Sequence, residues 1–217
     1  MYESGGIDMY ILEKYKQVRR VGMELNNRLL EQYVMREQLE AAGRLLGVLS
    51  GNYLHISEEE EPAFFDFLLH EPYMDGPTAV EQYRRDHPQM EWIEKQLTEA
   101  FLAAYTSLFM VAGFRREEST LILEDLLNGG LIPLLDIHYS RTAEPGTLLF
   151  TRVVPYRGFN MSSGFSLHFY LEADRLIQKY QKQYKKVPSD TDSIRRFVAF
   201  FALSRRYGTP AIHRSVQ

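Results

Sequence analysis

Ser107-Leu-Phe-Met-Val-Ala-Gly-Phe114 begins a run, reaching Phe169, in which apolar and aromatic segments alternate with turn residues. Arg115-Arg116-Glu117-Glu118 ends the first segment, residues 108–114, and residues 120–127 form the next, up to Asn128-Gly129-Gly130. Asn-Gly suits positions that need positive φ, so a tight hairpin is expected there. Residues 131–139 read as a third strand, and Pro145-Gly146 fits a type II turn. Residues 147–155 are a fourth strand, and Arg157-Gly158 turns into a fifth at 160–170. Strands this short are stable only as a sheet with a covered apolar face. The pattern predicts an antiparallel five-strand meander or small barrel.

Helical periodicity flanks that run. Leu25, Leu29, Tyr33 and Val34, then Leu39, Leu45, Leu46 and Leu49, recur at helical spacing, with Gly22 and Asn26-Asn27 as candidate breaks and Ser50-Gly51-Asn52 as a stop. Ser57 before Glu58-Glu59-Glu60-Glu61-Pro62 reads as a capped, acidic helix start. Thr78 and Glu81 have capping-box spacing, and residues 90–106 carry another apolar stripe. After the strands, residues 171–187 are helical. A last helix from about Thr191 uses Ile194, Phe197, Val198, Phe201 and Leu203, and Gly208 with Pro210 closes it. The fold class is therefore α+β: a helical region over 1–106, a β region over 107–170 and C-terminal helices over 171–217 packed on it as one compact unit.

Composition narrows the functions. The 217 residues include no cysteine, which removes disulfides, thiolate nucleophiles and cysteine-held zinc or iron–sulfur centres. That fits a reducing compartment, and with no signal design at Met1 and no long apolar run, a cytoplasmic protein without a membrane partner is expected. The net charge of −4 is unevenly spread. From Asp174 onward ten Lys/Arg face three Asp/Glu, whereas residues 1–173 are strongly acidic.

Phe64-Phe-Asp-Phe-Leu-Leu-His70, Asp75-Gly-Pro-Thr-Ala-Val-Glu-Gln-Tyr83, Leu123-Glu-Asp-Leu-Leu-Asn-Gly-Gly130 and Pro145-Gly-Thr-Leu-Leu-Phe-Thr-Arg-Val-Val-Pro155 form an ordered series with Ser107-Leu-Phe-Met-Val111. The series resembles a broad group of uncharacterised bacterial proteins, some of which carry a SEC-C zinc knuckle elsewhere in the chain. The similarity spans about residues 40–165. Without cysteine the chain has no such knuckle, and the resemblance brings no catalytic motif.

Chemistry is sparse. No Gly-x-Gly-x-x-Gly, Walker or Gly-x-Ser-x-Gly motif is present, and none of the six histidines pairs with another at metal-ligand spacing. His138 and His168 with Asp136 are the one set that could converge from separate strands, against a solvent-facing polar stripe as the plainer reading. Ser162-Ser163-Gly164 offers a serine with no positioned base, and a strand bulge accounts for it. Lys179, Lys182, Lys185 and Lys186, interleaved with Tyr180 and Tyr184, have the composition of a nucleic-acid surface. Docking of this basic helix on the acidic region, within the chain or between subunits, explains the same residues. The reading taken is a non-enzymatic interaction or regulatory module with an unknown protein partner, dimeric through its N-terminal helices. The alternatives are a nucleic-acid binder, or a hydrolase or metalloenzyme built from distant His/Asp/Glu. No cofactor, metal or catalytic residue is assigned.

Overall fold

The computed structural model describes residues 9–209. In chain order these form α1 (Met9–Tyr33), α2 (Arg36–Leu45), β1 (Leu49–Ser50), β2 (Tyr53–Leu54), α3 (Glu61–His70), α4 (Ala79–Asp86) and α5 (Trp92–Leu102). Then come β3 (Tyr105–Arg115), β4 (Thr120–Asp125), β5 (Leu131–Leu135), α6 (Tyr139–Thr142), β6 (Leu148–Tyr156), β7 (Phe159–Phe169), α7 (Ala173–Tyr184), α8 (Asp192–Tyr207) and β8 (Gly208–Thr209). Pro210 and His213 lie outside the described residues. The protein is α+β, with helices before and after a five-stranded barrel.

The barrel is not a simple meander. Around it the order is β5-β4-β3-β6-β7, and β7 returns to β5 in parallel through Leu134 and Asn160. Every other pairing is antiparallel. Numbering the barrel strands one to five along the chain, the circuit runs 1-2-3-5-4-1, the Greek-key connectivity of OB-type barrels. Asp136 ends β5. Its Oδ1 accepts the backbone N–H groups of His138 (3.0 Å) and Tyr139 (2.8 Å) and starts α6. His138 is thus a helix entry and not a strand residue.

Strand alternation separates two of the three hydrophobic clusters; the third packs α1, α4 and α5 on Leu135, Val154, Tyr156 and Met161. Phe109, Val111, Leu121, Leu123, Leu134, Leu149 and Val153 fill the barrel. Leu108, Leu148, Phe150, Phe165, Leu167 and Phe169 project outward to meet α3 and α8. Phe150 is fully buried, stacked on Phe200 at 4.5 Å and edge-on to Phe197 at 5.5 Å. That outer cluster also draws in Ala42, Leu46, Phe64 and Leu203, so it spans the helical, β and C-terminal stretches.

The helices correct several boundaries. α1 runs unbroken through Gly22 and Asn26-Asn27, with Gly22 buried against Leu97 and Phe101 of α5. The break falls at Val34-Met35, where Gln38 Oε1 takes the Met35 N–H at 3.1 Å. Of the stripe from Leu25 to Leu49, Leu25, Leu29 and Leu46 are buried inside the chain and Leu39, Leu45 and Leu49 are partly buried. Gly47, at φ +68°, ends α2, and Gly51-Asn52 instead turns the small β1–β2 hairpin. Thr78 and Glu81 form the expected capping box. Ser57 does not cap α3, which begins at Glu61; its N–H goes to Glu60 Oε2 at 3.0 Å in the preceding turn. Glu60 also receives Arg205 from the end of α8 at 2.6 Å, while Arg205 reaches the His55 carbonyl at 2.6 Å. The acidic run and one basic residue of the C-terminal region therefore do meet.

Candidate functional site

A bulge in β7 decides where the molecule is open. Thr151 pairs with Ser166 and Val153 with Ser162, so Arg152 alone faces Ser163-Gly164-Phe165. Gly164 takes φ +126°, a conformation costly to any residue with a Cβ. The bulge pulls β7 away from β5, which it pairs only at Leu134–Asn160, and α1 lies across the resulting gap. The expected strand bulge at this serine pair is what the chain forms.

Two cavities of about 460 Å3 each flank the bulge and share Arg19, Ser162, Gly164 and Phe165. The first is the barrel interior, walled by Leu121, Leu123, Leu134 and Leu149 and closed by Tyr15, Lys16 and Arg19 of α1. Its polar floor is made by neighbouring side chains. The Tyr139 hydroxyl meets Ser166 Oγ at 2.6 Å and also His168 Nε2, and Ser166 Oγ lies 2.9 Å from His168 Nε2. The Tyr139 and His168 rings stack, 5.5 Å apart. Burial pushes the Tyr139 hydroxyl above its usual range, and pushes Tyr15 up to about 12. At the mouth Arg19 Nη1 donates to the Ser162 carbonyl at 2.7 Å.

The second cavity is a cleft between α1, α3 and the bulge. Arg152, on the same outward face of β6 as Leu148 and Phe150, donates from Nε to Asp66 Oδ2 at 2.8 Å and from Nη2 to Glu71 Oε1 at 2.6 Å. All three side chains are buried. Burial raises the Asp66 carboxyl, an effect Arg152 and Ser163 only partly oppose. Burial and the neighbouring guanidinium hold His70 well below the ordinary imidazole range, so it is neutral at physiological pH. Neither group announces itself in the sequence, since Asp66 and His70 sit in an aromatic helical run that reads as core.

The residues singled out from the sequence fall elsewhere. Asp136, His138 and His168 do not form a metal set; Tyr139 intervenes, and no three His/Asp/Glu side chains among the described residues gather to hold a metal. Lys179 rests on the Tyr207 ring at 4.4 Å and donates to its hydroxyl at 3.0 Å. Lys182, Lys185 and Lys186 are exposed and make no ion pair among the described residues, so docking on the acidic half of this chain does not hold them. Tyr180 stacks one ring face on Phe200 at 4.4 Å, and Tyr184 donates its hydroxyl to Asp192 at 2.6 Å.

These features define a helix-clad Greek-key barrel with ligand-sized cavities on either side of one strand bulge. The chain belongs to the family of unknown function DUF7986, which covers residues 9–214. No curated protein and no solved structure matches it. No helix among the described residues is long and apolar enough to cross a membrane.

Proposed function

We propose that the chain is a non-enzymatic regulatory module of a bacterial cytoplasm that binds a small apolar molecule with an anionic end inside its barrel. The observation that carries this reading is the 460 Å3 barrel cavity, within the range of small-molecule sites and lined as they are, by apolar walls with a few convergent polar groups. Lys16 and Arg19 stand at its mouth, Lys16 paired with Glu13 at 2.7 Å and Arg19 donating to the Ser162 carbonyl at 2.7 Å, while the carboxylate in the lining, Asp136, is committed to backbone N–H groups. OB-type connectivity by itself argues fold and not nucleic-acid binding. The outward face of β4 and β5 presents Ile122, Glu124, Leu131 and Pro133, without the aromatic and cationic side chains that single strands require.

The test is titration with 8-anilinonaphthalene-1-sulfonate, which joins apolar rings to an anion, followed by displacement with decanoate. Saturable binding that weakens in Arg19→Glu and Lys16→Glu variants of unchanged circular dichroism supports the reading. Binding that is absent, or indifferent to both reversals, removes it.

A second reading rests on Ser166 and His168, a hydroxyl within reach of an imidazole at the cavity floor with the Tyr139 hydroxyl beside both. Labelling of Ser166 by a fluorophosphonate, lost in His168→Gln, would favour a hydrolase over a binding module.

A further inference from the structure

We infer that the outward face of α7, with the end of α8, is a docking surface for duplex DNA held through its phosphates. Arg175, Lys179 and Lys182 fall at spacings of four and three residues, which sets them in one line along the helix. The line covers about 10 Å at a rise of about 1.5 Å per residue. Lys185 and Lys186 extend it in the turn that follows, where the Lys186 N–H bonds to the Gln183 carbonyl at 2.9 Å. At the end of α8 the Tyr207 hydroxyl accepts from Lys179 at 3.0 Å. That bond holds the hydroxyl below the usual tyrosine range, and Arg206 and Arg175 add to the pull, so cations of both helices converge there.

This face differs from an ordinary solvated helix in its charges. Arg175, Lys182, Lys185, Lys186 and Arg206 are exposed, and none makes an ion pair among the described residues. From Arg175 to Ser189 the sequence has no acid; Glu172 and Asp174 precede the line, at the helix start where the dipole favours them. Like charges three and four residues apart work against the helix that carries them. Elsewhere the chain avoids this: α2 interleaves Arg36, Glu40 and Arg44 and pairs them at 2.8 and 3.5 Å. A single-sign line of cations along a helix is the electrostatic footprint of a nucleic-acid surface.

The surroundings select the occupant. Leu176, Ile177, Tyr180 and Tyr184 pack inward on the cluster that contains Phe200, and no large apolar side chain from 171 to 187 is exposed. A protein interface has an apolar core in which lysine is scarce, and a membrane-surface helix buries its apolar face in lipid. Neither need is met here, and a single strand would lack the rings on which its bases stack. Across a two-fold axis the cations of two copies would face each other, and a head-to-tail contact does not close into a dimer. A duplex needs none of these things, since it offers about one phosphate charge per 1.7 Å of axis. The B form fits better than A-form RNA, because its major groove, about 12 Å wide, admits a helix and the A-form groove is deep and narrow.

The experiment is fluorescence anisotropy of a labelled, mixed-sequence DNA duplex with the full chain across a salt series. Binding should be sequence-independent, with Kd about 10⁻⁴–10⁻⁶ M at physiological salt, and four phosphate contacts give a log–log slope of roughly −3 to −4. Lys182→Ala and Lys186→Ala should each reduce the slope by about 1. Lys182→Glu with Lys186→Glu should abolish binding. Arg85→Glu with Lys95→Glu, at exposed cations of α4 and α5, changes the net charge equally and should retain it. All variants are compared at unchanged circular dichroism. The inference is overturned if the duplex fails to bind at low salt, if the salt slope is flat, or if the two reversals weaken binding equally. It is also overturned if single-stranded DNA or duplex RNA binds more tightly, or if phosphatidylserine vesicles or a second copy of the chain engage this face and the duplex does not. Decanoate binding in the barrel concerns other residues, so the two readings stand or fall separately.

Discussion

Replacing Arg152 with methionine keeps much of the side-chain volume and withdraws the guanidinium from between Asp66 and Glu71. The side chains involved are 4%, 5% and 1% exposed, so water cannot take over its role. Breaking a buried pair by removing one partner costs about 3–5 kcal/mol. That is a large part of the roughly 5–15 kcal/mol that holds an ordinary domain together. The pH dependence has a definite sign. The Asp66 carboxyl already titrates above its ordinary value because burial outweighs Arg152, and it rises further once Arg152 is gone. A carboxyl whose folded pKa exceeds its unfolded value contributes stability that is present below the unfolded pKa and lost as pH rises through the folded one. The deficit of Arg152→Met should therefore be greatest near neutrality and shrink on acidification toward about pH 4. Urea midpoints followed by circular dichroism at neutral and mildly acidic pH measure it. A companion chain with Asp66→Leu, Glu71→Leu and Arg152→Met should regain most of the loss, because apolar replacement of a buried ion cluster is commonly neutral or better. A deficit below about 1 kcal/mol at neutral pH, or one that grows in acid, would refute the reasoning.

Phe150→Ala should cost about 3–5 kcal/mol, since the ring is fully buried against Phe197 and Phe200; chemical denaturation giving under about 1 kcal/mol would mean that the outer face of β6 is wrongly assigned. Alanine at Lys182, Lys185 and Lys186 together should change stability by no more than about 0.5 kcal/mol in thermal melts, as expected of exposed charges. Tyr15, Tyr73 and Tyr83 have hydroxyls pushed up to about 12, chiefly by burial. Their contribution to stability is intact below about pH 10 and is lost as pH rises toward about 12. Ultraviolet titration should resolve this late group from the other tyrosines, and a single step near the ordinary value would contradict their burial.

The strands were legible because turn residues mark their ends. Asn128-Gly129-Gly130, Pro145-Gly146 and Arg157-Gly158 each fall between strands, and glycine takes positive φ at all three turns. Their order around the barrel was not legible, because it depends on which edges meet, and no local pattern near Leu134 or Asn160 announces a parallel seam. The third strand was read too long because Asp136-Ile137-His138 alternates like a strand, while the Asp136 side chain diverts the backbone into a helix. Gly22 has the composition of a break because glycine weakens helices, but its burial on α5 holds the helix through it. The cavities were invisible because their floor is assembled across long separations. Asp66, Arg152 and Ser163 come from a helix and two strands far apart in sequence, with Ser163 in the bulge opposite Arg152.

The outer cluster that includes Phe150 also has a consequence for synthesis. A ribosome delivers Ala42, Phe64 and the barrel strands before it delivers Phe197, Phe200 and Leu203 of α8, which cover Leu148, Phe150 and Phe169. Until that helix emerges, the nascent chain carries a wet aromatic sheet face of the kind that draws chains into aggregates. A segment made late thus seals segments made early. A premature stop ahead of α8 should therefore yield insoluble or degraded chain and no shorter working protein.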